Sequence, residues 1–225
     1  MSAAIYYVQY LLFHQTHDTI FYLLQDLAFV PIQVVMVTMI INRFLNVMEK
    51  RKKIKKINVI ISTFFVEAGI SIIETISKFN RNNDEFCKLV KVSQLNRKNV
   101  SRIKKAAKEF KFDIYADPSR LDKLYQVLAK YKSFTLNMLE NSNLLEHDSF
   151  TDMLWAVFHV ADELQTRGDF VRLDKDDIDH LSNDMLRAYS AMVVEWINYM
   201  GYLHDEYPFL YALAIKKNPF VTAQN

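Results

Sequence analysis

The sequence predicts an all-α protein: an N-terminal transmembrane helix continuing into a stalk helix, then a bundle of helices. Three observations carry this expectation. Only 3 Gly and 4 Pro occur in 225 residues, too few turn formers for a chain of many short strands. One long apolar segment lies near the N-terminus. The charges are sorted along the chain: residues 1–42 contain no Lys or Arg, residues 43–111 contain 18 of the 28, and residues 112–225 contain ten basic against 18 acidic residues.

The apolar segment comes first. From Leu27 to Ile41 the only polar side chains are Gln33 and Thr38, and "IFYLL" (20–24) extends the run outward past Gln25 and Asp26. A bilayer core takes about 20 helical residues, so 20–45 is long enough to span. The competing reading is a buried helix of a soluble core. The flanks favour the membrane. Arg43 and then "EKRKKIKK" (49–56) follow the segment, and no positive charge precedes it. Lys and Arg are retained on the cytoplasmic side, which places the N-terminus outside and the C-terminus in the cytoplasm of a single-pass cell-membrane protein. Lys50, Arg51, Lys52, Lys53, Lys55 and Lys56 are then placed to meet anionic headgroups. Residues 1–19 are tyrosine-rich and too short to span, as expected of an extracytoplasmic interfacial helix, with His14, His17 and Asp18 as a polar break. No cleavable signal peptide is expected.

Polar groups at membrane depth need partners. Asp26 and Gln33 lie one heptad apart on nearly the same helical face, and Pro31 removes a backbone donor between them. This face is expected to line a contact between copies of the chain, or a narrow aqueous path in an oligomeric channel. The alternative is that Asp26 reaches the headgroups and Gln33 is tolerated alone.

Residues 46–80 form the basic juxtamembrane and stalk segment. "INVIISTFFVEAGISIIETI" (57–76) contains Glu67 and Glu74 and has basic flanks on both sides, so a second span is not expected. Ile54, Ile57, Ile61, Phe64 and Ala68 follow three- and four-residue steps, the spacing of a short coiled-coil seam; the same face could instead pack on the chain's own downstream helices. Gly69 is a candidate hinge.

Residues 81–225 are expected to form the cytoplasmic helical domain. "CKLVKVSQLNRKNVSRIKKAAKEFKF" (87–112) is basic. Its nearness to the span makes anionic lipid a better-fitting partner than nucleic acid, with a solvated basic face as the alternative. Asp117 reads as an N-cap, with Pro118 at the first helical position. Further helices are expected over 118–141, over 147–168 (Ser149 and Asp152 at near capping-box spacing, Gly168 as C-cap), from the acidic 174–179 to about His204, and over 209–220. Trp155, Phe158, Trp196 and Met200 are expected in or beside the core.

Asp152, His159 and Glu163 lie at i, i+7 and i+11 on one face, and His180 and Asp184 are an i, i+4 pair. A carboxylate-bridged bundle site uses Glu-x-x-His pairs, and none occurs here. Asp152, His159, Glu163 and His180 are therefore candidate metal ligands in an incomplete set, and no cofactor is expected. The competing reading makes His159 a hydrogen-bonded residue at the rim of a core containing Leu154, Val157, Phe158 and Val160. Walker, GxGxxG and GxSxG motifs are missing, and the single Cys87 excludes an internal disulfide. The expected function is partner binding or sensing by a self-associating membrane protein rather than catalysis. The alternative is a membrane-tethered metal-binding bundle enzyme.

Two stretches, "YLLQDLAFVPIQVVMVTMIINRFL" with its "EKRKK" tail and "YPFLYALAIKKNPF", resemble uncharacterised prokaryotic membrane proteins with one N-terminal span and a helical cytoplasmic region. The resemblance implies the topology alone and transfers no functional residues.

Overall fold

The computed structural model describes residues 2–14, 16–90, 98–144 and 147–220. The chain divides into two compact units, Met1–Ile54 and Lys55–Asn225. All regular elements among the described residues are helical, and one isolated bridge pairs Asn80 with Ile114.

In the first unit, α1 (Ser2–Phe13) ends at His14, whose φ of 50° breaks the helix before α2 (Thr16–Phe64) begins. A left-handed non-glycine residue is uncommon, and here it falls in the polar break read from the sequence. Every residue from 20 to 52 is exposed. Inside the apolar run, Thr38 satisfies its hydroxyl locally by donating to the Val34 carbonyl at 2.7 Å. The Tyr6 hydroxyl of α1 donates to the Asp26 carboxylate. Of Asp26 and Gln33, Asp26 therefore finds a partner within its own chain.

The second unit takes in the end of α2 and everything after it. A π turn (Phe65–Gly69) joins α2 to α3 (Ile70–Ser77). Ile57, Ile61, Phe64 and Ala68 are buried in the core of this unit, and Ile54 is exposed. This corrects the coiled-coil reading: the seam is covered by the chain's own helices. The same three- and four-residue spacing serves either kind of neighbour.

The π turn has a geometric reason. At about 100° per residue, an unbroken α-helix would swing Ile72, Ile73 and Ile76 about 100° away from the face of Ile57, Ile61 and Phe64. One surplus residue in the turn brings both sets to the same face, and all six are buried. Gly69 has ordinary helical angles (φ −59°, ψ −43°) and is not a hinge. A Cβ there would sit 2.7 Å from Phe65 Cδ1 and 2.8 Å from Phe64 Cε1, so the glycine is required by close packing of two buried rings.

The remaining elements are α4 (Asn83–Leu89), α5 (Val100–Glu109), α6 (Pro118–Leu139), α7 (Asp148–Arg167), a 3₁₀ turn (Phe170–Arg172), α8 (Lys175–Glu206) and α9 (Pro208–Lys216). Of the basic stretch 87–112, residues 91–97 lie outside the described residues. Within the rest, Ile103 and Ala107 of α5, one turn apart, are buried.

Helix α8 is the axis of the bundle, packed against α3, α5, α7 and α9. Leu181, Met185, Ala188, Met192, Trp196, Met200 and Leu203 recur every three or four residues and are buried, the stripe of a core helix. Phe86 packs edge-on against Phe110, Phe112 and Phe220, and Phe112 in turn against Tyr189. Aromatic pairs of this geometry add about 0.5–1.5 kcal/mol each beyond their buried area.

Local signals set the helix ends. Asp117 accepts from the Ser119 hydroxyl at 2.7 Å and from the Ser119 amide at 3.0 Å and starts α6, and these hydrogen bonds hold its carboxyl below the usual range. Asp174 caps α8 through the Asp177 amide at 2.8 Å. Gly168 ends α7 at φ 65°. Helix α7 begins differently from the expected capping box: the cap is His147, whose Nδ1 accepts from the Phe150 amide at 3.3 Å. The core expectation holds for Trp196 and Met200, both fully buried, and for the half-buried Phe158; Trp155 is 54% exposed and lies on the surface.

Candidate functional site

Helices α7 and α8 bring a cluster of titratable side chains together. His159, Glu163 and Arg167 succeed one another every four residues along α7. Asp177, His180, Asp184 and Arg187 occupy the facing stripe of α8.

At the centre is Asp184, 6% exposed. Its Oδ2 lies 3.2 Å from His159 Nε2 and 3.1 Å from His180 Nε2. Both distances suit hydrogen bonds, yet Oδ2 has no hydrogen-bond partner among the described residues. Hydrogen bonds need the N–H directed at the acceptor, and these rings come close without pointing at the oxygen. The other oxygen, Oδ1, is 3.5 Å from Arg187 Nη1. One ligand atom from each of His159, His180 and Asp184 falls within 4.8 Å of the other two. The imidazoles are about half exposed, at 47% and 54%, so the cluster opens to solvent on one side and rests on a buried acid on the other.

Glu163 borders this group. Its Oε2 is 3.9 Å from His180 Nε2, but the carboxylate is engaged by Arg167, which also donates from Nε to Asp177 Oδ1 at 3.1 Å. The Arg167 hydrogen bond holds the Glu163 carboxyl below its usual range, against the opposing effect of partial burial.

Of the four candidate ligands read from the sequence, His159 and His180 meet, Glu163 lies beside them in an ion pair, and Asp152 stays apart. Asp152 is exposed and seven residues from His159, about 10 Å along the helix axis. Asp184 is the third member of the cluster, and its signal was the i, i+4 spacing from His180 on a helix whose other face is apolar. His204 pairs with Asp205 at 3.0 Å, and buried Glu195 accepts from Asn198 Nδ2 at 3.2 Å; neither joins the cluster.

In the first unit, Asp26 and Gln33 are both exposed along α2. Lys50, Arg51, Lys52, Lys55 and Lys56 are also exposed, and Lys53 is half-buried.

A family model described as "MJ1433, N-terminal helical domain" matches residues 1–45, and one described as "Uncharacterized protein MJ1433, C-terminal helical domain" matches residues 53–216. The chain belongs to the MJ1433 family. The "Uncharacterized protein MJ1433" of Methanocaldococcus jannaschii is 38% identical to it over 221 residues, covering 98% of the chain and 89% of that protein. No solved structure matches the chain. The two domains of the MJ1433 family meet between residues 45 and 53, next to the division of the structure between Ile54 and Lys55. Both the family and the structure make the chain an all-helical protein of two parts, like the uncharacterised prokaryotic proteins it resembles in sequence.

Proposed function

We propose that the chain is a single-pass membrane protein that holds its helical domain, from Lys55 onward, in the cytoplasm, where the domain binds a partner or senses a signal without catalysing a reaction. The observation that carries this reading is the complete exposure of residues 20 to 52, a stretch whose central 15 residues include only two polar side chains. A contiguous apolar surface on this scale marks contact with a membrane or with other protein, and the helix is long enough to cross a bilayer. The charge layout supports the direction: no Lys or Arg precedes the segment and a basic block follows it. The exposed lysines and arginine of 50–56 are positioned for anionic headgroups.

Topology is tested by maleimide labelling of a cysteine at the exposed Ser142, in a Cys87→Ser background, in intact cells. Position 142 is expected to label only after the membrane is permeabilised; labelling from outside sinks the orientation.

We further propose self-association through the span. Asp26 is served by Tyr6, so the support for self-association rests on Gln33, exposed at the depth where a polar amide most needs a partner. A cysteine at position 33 is expected to crosslink between copies in membranes. If cysteines on the opposite face of α2 crosslink and position 33 does not, the contact is wrongly assigned.

A further inference from the structure

We infer that His159, His180 and Asp184 form a binding site for one divalent transition-metal ion of the zinc class, set between α7 and α8. This inference is independent of the membrane reading and rests on three features of the cluster.

The first is the donor set. Two imidazole nitrogens and one carboxylate oxygen are ligands that zinc and its first-row neighbours accept. Magnesium and calcium take oxygen ligands, so two imidazoles select against them.

The second is spacing. Ligands held at about 2.0–2.1 Å in a tetrahedral arrangement lie about 3.3 Å from one another. The two nitrogen–oxygen separations here are 3.2 and 3.1 Å. Two of the three ligand separations thus match a tetrahedral edge, and the ligand atoms all lie within 4.8 Å of one another.

The third is the state of Asp184. Its side chain is more than nine-tenths buried, and Oδ2 faces the two imidazoles without a hydrogen bond. A buried carboxylate oxygen without a hydrogen bond is costly. Arg187 is 72% exposed and approaches only Oδ1, so the two imidazoles are the groups that face Oδ2. A cation at the point shared by the two Nε2 atoms and Oδ2 supplies the missing charge, and it explains why the rings approach the oxygen without donating to it.

Glu163 is not a ligand in this assignment. Arg167 holds its carboxylate, and Asp177 holds Arg167 in turn. The protein therefore offers three ligands, and the half-exposed imidazole side leaves the fourth position to water.

The test uses the full chain in detergent, stripped with a chelator and titrated with zinc alone by calorimetry, with metal content measured after dialysis. One zinc per chain is expected. His159→Ala, His180→Ala and Asp184→Asn should each weaken binding at least tenfold, and Asp152→Ala should leave it unchanged. Cobalt substituted for zinc should give visible d–d absorption that is lost in the two histidine variants. Both histidines are half exposed, so these variants remain informative if Asp184→Asn fails to fold. The inference is overturned if the wild-type chain retains no zinc, or if His159→Ala and His180→Ala both bind it with wild-type stoichiometry and affinity.

Discussion

Placing lysines at Val34 and Val35 together is expected to release the chain from the membrane. Near the centre of a span each lysine costs about 2.5–3.5 kcal/mol on insertion scales, so the pair costs about 5–7 kcal/mol. Both valines are exposed on α2, so no core is disturbed and the same changes on a helix in water should stay within about 0.5 kcal/mol. The two environments thus predict opposite results. Alkaline extraction of cell membranes reads them out: wild type should stay in the pellet and the Val34→Lys, Val35→Lys variant should leave it. A double variant that stays firmly integrated would mean that these residues do not occupy the bilayer centre.

Trp196→Ala is expected to destabilise the helical domain by about 3–5 kcal/mol, the range for removing a buried aromatic ring. Trp196 is fully buried and packs edge-on against Phe220 at 5.0 Å. Its Nε1 has no hydrogen-bond partner among the described residues, so the loss there is one of packing. Against a usual domain stability of about 5–15 kcal/mol, this is a large share. Trp155→Ala provides the contrast. That ring is 54% exposed and touches Phe158 at 5.9 Å, so the change should be within about 1 kcal/mol. Thermal midpoints of the two variants of the full chain decide the matter; an unchanged midpoint for Trp196→Ala would overturn the core assignment.

The difference between the two tryptophans shows where sequence reading stops. On α8 the stripe of apolar residues is long and regular, so the inner face was legible, and Trp196 lies on it. On α7 the buried residues are Phe150, Met153, Leu154, Val157, Val160, Ala161 and Leu164. Trp155 follows Leu154 by one residue, a turn of about 100°, enough to carry a large ring past the edge of the stripe. Caps were legible where they act within a few residues, as at Asp117 and Gly168; at α8 the acidic run 174–179 marked the helix start without singling out Asp174 as its cap. The His147 cap escaped because a ring nitrogen replaces the usual hydroxyl or carboxylate.

Contacts between elements distant in the chain were the least legible. The Tyr6–Asp26 hydrogen bond depends on α1 lying against the start of α2. The meeting of His159 with His180 and Asp184 depends on how α7 and α8 slide past one another, which no local pattern states. The seam from Ile57 to Ala68 was read correctly as apolar, but spacing alone does not say whether the neighbour belongs to the same chain.

The π turn at Phe65–Gly69 has a consequence for how this chain can change in length. The segments on either side already face the core as though one residue of the turn were missing. Deleting one residue there converts the turn to ordinary α-helix and leaves Ile57, Ile61 and Phe64 in phase with the isoleucines of α3. The same deletion within the regular stretch 70–76 would rotate part of the buried face by about 100° toward solvent. Loss of a single residue is thus tolerated in one helical turn, whose spare residue works as slack between two stretches of fixed length.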